Sequence, residues 1–116
     1  MPVHFPICYN NSRYEVIIVS YHYKVQGKEI DNLFEAILKL ETIEECYRFF
    51  DDLCTINEIE AFGQRLMVAK MLHAKMTYQE IEKATGISAA TISKISKSYL
   101  YGPRGYKMII EKLDEK

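Results

Sequence analysis

Cysteine is scarce in this sequence: there are three, Cys8, Cys46 and Cys54, an odd number without a C-x-x-C pair. That spacing argues against a disulfide framework or a zinc–thiolate site. It reads as reduced thiols in a cytoplasmic protein, with Cys46 and Cys54 packed inside helices. Histidine is equally sparse, and His4, His22 and His73 lie too far apart to suggest a metal cluster. No apolar run reaches the roughly 18 residues of a membrane span. The stretch "YEVIIVSYHY" is too short, and too polar at its edges, for a secretory signal, and no small-residue cleavage site follows it. A Gly-rich phosphate loop is missing, and no nucleophile stands beside a plausible base. Neither an enzyme nor a cofactor is therefore expected.

What is present fits one domain: 116 residues, 48% of them hydrophobic, enough for a packed core. Clear helical patterning begins only near Lys28, and a core drawn from so short a stretch favours a dimer. The net charge of −1 conceals a division. Residues 29–60 hold ten acidic and two basic side chains, a balance of −8; residues 61–112 hold nine basic and three acidic, a balance of +6. Such a polarised chain can turn its basic half to phosphate, although two solvated helical surfaces would show the same counts.

Three T-x-x-E signals, "TIEE" at Thr42, "TINE" at Thr55 and "TYQE" at Thr77, mark helix starts. In each, the Thr hydroxyl accepts a first-turn amide and the Glu reaches back to the Thr amide, close to the positive end of the helix dipole. The apolar spacing then predicts an all-α core. A helix over Glu29–Leu40 carries Ile30, Leu33, Phe34, Ile37 and Leu38. One from Ile43 carries Cys46, Phe49, Phe50 and Leu53. A long one over Ile56–Ala74 carries Ile59, Phe62, Leu66, Ala69 and Leu72. Short helices follow near Tyr78–Ala84 and Ala89–Leu100, and a last one near Tyr106–Leu113. Gly102 is expected to supply a left-handed cap, with Pro103 barring continuation.

Residues 1–27 stand apart. "RYEVIIVSYHYKV" is rich in β-branched and aromatic residues, and Gly27 separates it from the helices. Three readings stay open: an arm that adds a strand or packs on a partner, a disordered extension, or a non-native stretch upstream of a start at Val19.

Residues 78–100 carry the functional signal. Gly86 is the expected turn between two short helices, and Ser88 a cap for the second. Ile81, Ile87, Ile92 and Ile95 stand at −5, +1, +6 and +9 from that glycine, the inward spacing of a helix-turn-helix. Glu82 departs from the pattern, since a small residue often occupies that place to let the second helix approach. The outward set is then Ser88, Ala89, Ala90, Thr91, Ser93, Lys94 and Lys97. Small side chains let a helix approach a groove floor, their methyls and hydroxyls suit thymine methyls and base edges, and the lysines suit phosphate or guanine. The amino end of the first short helix, at Thr77, Tyr78 and Gln79, can take a backbone phosphate. An ordinary αα-hairpin with a solvated face would carry the same residues.

The run "LCTINEIEAFGQRLMVAKMLHAKMTYQEIEKATGISAATISKISKSYLYGPRGYK" resembles the Trp repressor-like proteins, most closely their YerC/YecD branch. The likeness begins near "KEIDNLFEAIL" and covers about three quarters of the chain. It implies an all-α, intertwined homodimer with helix-turn-helix heads ~34 Å apart, reading palindromic double-stranded DNA. In the wider superfamily base contact can be largely through water, a mode for which the Trp repressor operator is itself the standing example, and a reading helix poor in long hydrogen-bonding side chains would suit it. By the same resemblance, the tryptophan-binding positions fall on Thr55, Arg65, Lys94, Ile95 and Ser98. Lys94 there lacks the planar guanidinium that stacks on an indole. Ile95 stands where the repressor has glycine, which leaves little room for the ring. The expectation is a DNA-binding regulator, a repressor, that does not use tryptophan. Two alternatives are a sensor of another small molecule and a helical protein-interaction module.

Overall fold

Six helices and no strand run through residues 23–115, the residues that the computed structural model describes. They are α1 (Lys28–Leu38), α2 (Ile43–Leu53), α3 (Ile56–His73), α4 (Tyr78–Thr85), α5 (Ala89–Tyr101) and α6 (Gly105–Asp114). The expectations for residues 1–22 lie outside the described residues; residues 23–27 form neither helix nor strand.

Two of the three threonine signals form complete capping boxes. Thr55 Oγ1 accepts the Glu58 amide at 3.1 Å while the Glu58 carboxylate accepts the Thr55 amide at 2.8 Å. Thr77 and Glu80 repeat this at 3.1 and 2.9 Å. The third differs. Thr42 Oγ1 accepts the Glu45 amide at 3.0 Å, but the Glu45 carboxylate reaches one residue further back, to the Glu41 amide at 2.9 Å. A cap of this kind stabilises its helix by about 1 kcal/mol.

The chain divides between Tyr47 and Arg48 into two units. In the second, α5 packs against α3, α4 and α6, and α3 also packs against α6. Their shared core is Val68, Ala69, Ile81, Ile92, Ile95 and Ile110, with Leu66, Met71, Leu72, Met76, Ile87 and Tyr106 partly buried around it. Full burial of one such aliphatic side chain contributes about 1.5–3 kcal/mol.

Several expectations need correction. The stripes assigned to the first two helices exist, yet α1 and α2 bury no residue. Phe34 and Leu38 are 55% and 82% exposed, because periodicity marks an apolar face without supplying what covers it. Cys46 is likewise exposed instead of packed, and Cys54 is half-buried. Gly102 is not left-handed: its φ is −83°, with extended ψ. A glycine is needed there for space, since a Cβ would lie 2.5 Å from the Ser98 carbonyl oxygen. The left-handed residue of that junction is Arg104, φ 69°.

Candidate nucleic-acid interface

Gly86 ends α4 in the left-handed region, φ 78°, and its amide donates to the Glu82 carbonyl at 2.8 Å. Only glycine adopts this conformation without steric cost. The chain leaves the turn through Ile87, and Ser88 opens α5 by accepting the Thr91 amide at 3.3 Å. Ile81 and Ile92 are fully buried and Ile95 nearly so, which fixes the apolar edges of α4 and α5 against each other and that of α5 against α3. Glu82 stays exposed, so its bulk does not obstruct that packing.

With this edge inward, the opposite face of α5 is bare. Ser88, Ala89, Ala90, Thr91, Ser93, Lys94 and Lys97 are all exposed, as are Thr77, Tyr78 and Gln79 at the start of α4. Lys94 and Lys97 have no ion-pair partner among the described residues. Two hydroxyls have local duties: Thr77 caps α4, while Ser88 caps α5 and lies 3.2 Å from Thr91 Oγ1. They set helix starts and the Thr91 hydroxyl accepts from Ser88, which leaves Ser93 and the two lysines as the polar groups of the face without such a duty.

The five positions aligned with a tryptophan pocket separate. Thr55 is spent on capping α3. Arg65, Lys94 and Ser98 are exposed, and the Arg65 guanidinium lies over the Phe62 ring, 5.7 Å from its centroid. Ile95 is in the core, 6% exposed. Arg65 also acts on α6: burial pushes the Tyr106 phenol above its usual pKa, and the nearby guanidinium pulls it partly back. A groove of about 400 Å³ runs along α3 past Met67, Met71, Met76 and Lys70, and none of the five lines it.

Two features escaped the sequence reading. Thr85 Oγ1 donates to the Ile81 carbonyl at 2.8 Å and accepts the Ile87 amide at 3.1 Å, spanning the turn. His73 Nδ1 lies 2.8 Å from Tyr99 Oη, and Lys107 Nζ sits 5.0 Å from the centroid of the Tyr99 ring, joining α3, α5 and α6. Thr85 beside a turn glycine was a visible signal, since threonine hydroxyls commonly bond the backbone of the preceding turn. The His–Tyr pair is 26 residues apart and left no local trace.

An all-α bundle with a glycine-turned helix pair in its carboxyl-terminal half is thus the class these elements define. Comparison with known proteins agrees and is narrower. The chain belongs to the Trp repressor family, whose model, "Trp repressor protein", matches residues 28–114. That is a family of regulators and not of enzymes. Over 92 residues the chain is 53% identical to the uncharacterized protein YerC of Bacillus subtilis (strain 168), spanning 79% of this chain and 88% of that protein. A crystal structure of a candidate Trp repressor from Staphylococcus aureus superposes with a TM-score of 0.73 at 49% identity, covering 78% of this chain and 91% of the other. A TrpR-like protein from Eubacterium eligens ATCC 27750 gives 0.74 at 46% identity, covering 80% and 98%.

Proposed function

We propose that residues 28–116 form a sequence-specific DNA-binding regulator, a cytoplasmic repressor that acts as a homodimer on a palindromic site. In this reading α4 and α5 are a helix-turn-helix and α5 lies in the major groove. One observation carries it. The buried isoleucine edge of α5 leaves Ala89, Ala90, Thr91, Ser93, Lys94 and Lys97 together on an uncovered face, and these are small and basic side chains suited to a groove. Family membership supports the same reading. The homodimer is supported by large apolar side chains left exposed in each unit, Phe34 and Leu38 in the first and Leu53 and Phe62 in the second, since apolar surface left open to water favours association. The test is selection of bound fragments from genomic DNA by the full chain, with solution mass measured alongside. Enrichment of a two-fold symmetric sequence by a dimer is expected; a chain that enriches nothing rejects the assignment.

The regulator works without tryptophan. Ile95 fills core space beside Ile92, and Lys94 offers no flat cation to stack on an indole. Calorimetric titration with L-tryptophan is expected to give no saturable heat. A dissociation constant in the micromolar range would refute this.

A further inference from the structure

Glycine at the turn solves a steric problem and creates a mechanical one. Gly86 permits the left-handed bend, but a residue so free does not by itself fix the direction in which the chain departs. We propose that Thr85 is a positioning residue for DNA reading. Its hydroxyl ties the last turn of α4 to the residue after Gly86, and so sets the angle at which α5 is presented. The inference rests on the assignment of α5 as the reading helix.

The geometry leaves no doubt about direction. A carbonyl only accepts and a backbone N–H only donates, so the Thr85 hydroxyl donates a hydrogen bond to the Ile81 carbonyl and accepts one from the Ile87 amide. The two bonds straddle Gly86, and both ends are anchored: Ile81 is fully buried, and Ile87 packs against the same core. Thr85 is itself half-buried, where water competes less well for the hydroxyl. Being the last residue of α4, it lies outside the exposed α5 face and acts through the joint. With the bridge gone, the isoleucine packing alone sets the direction of α5, and apparent affinity falls to the extent that fewer molecules hold the reading direction.

The experiment uses the full chain and the site it selects. Thr85→Val removes both bonds at nearly constant volume, and Thr85→Ser retains them. Titrations are run on the selected site and on unrelated DNA at several salt concentrations, at a temperature where circular dichroism shows every variant folded. Exchange of the Ile87 amide is followed by NMR. Thr85→Val is expected to bind the selected site about tenfold more weakly, with unrelated-DNA affinity and salt slope unchanged and faster Ile87 exchange; Thr85→Ser stays near wild type. A merely structural loss would lower thermal stability without moving the ratio of specific to non-specific affinity. Should the valine variant not fold, Thr85→Ala takes its place in the same titrations. The proposal is overturned if Ile87 exchanges faster while specific binding is unchanged, or if both affinities fall together. A wild-type chain that selects no DNA removes the reading-helix assignment, and this inference with it.

Discussion

Replacing Lys94 and Lys97 together by alanine is expected to weaken binding to the selected DNA by about a hundredfold at ~0.1 M salt. The two lysines stand three residues apart on α5, on one face, exposed and without ion-pair partners among the described residues. Each that meets a phosphate displaces close to one condensed counterion, worth up to about tenfold at that salt. The slope of log affinity against log salt should therefore flatten by about one for each lost contact. Because neither side chain supports the core, the variant should melt where the wild type does. Undiminished binding, or the same loss with an unchanged salt slope, would show that phosphate lies elsewhere.

Ile92→Ala is expected to lower stability by about 2–5 kcal/mol, the usual range for emptying a buried isoleucine site. Ile92 is fully buried, in a core with six buried apolar members among the described residues, and it joins α5 to the residues contributed by α3, α4 and α6. Little else in so small a unit can close over the space. Urea unfolding at one fixed protein concentration measures it, since the midpoint of an assembling chain moves with concentration. Ile92→Val should cost about 0.5–1.5 kcal/mol by the same reasoning. An alanine variant that loses less than the valine variant would mean that the site collapses freely, and that α5 is not held as described.

Much of the fold was legible because its signals are local. Thr55 and Thr77 announce α3 and α4 through residues three apart, and Gly86 announces the turn through a conformation other residues avoid. The isoleucine spacing placed the α5 edge inward, and that edge is buried. Gly102 was misread because two physical reasons favour glycine, positive φ and close approach, and a sequence does not say which applies. Phe34 and Leu38 look like core by spacing, but spacing is silent about the partner surface. Thr85 and the His73–Tyr99 pair depend on side-chain direction across a turn and between distant helices, which no periodicity encodes.

Two bends among the described residues of the second unit, 48–115, are made at a cost. Lys75, after α3, and Arg104, before α6, both sit at φ 69°, where an L side chain is strained by about 1–2 kcal/mol. Glycine would relieve either bend, at the loss of a cation from the half of the chain that is rich in them. The sequence thus gives up ruggedness at its joints while keeping its positive field. These two corners are where reinforcement would come most cheaply, and where it would also remove a cation from the half of the chain proposed to face DNA.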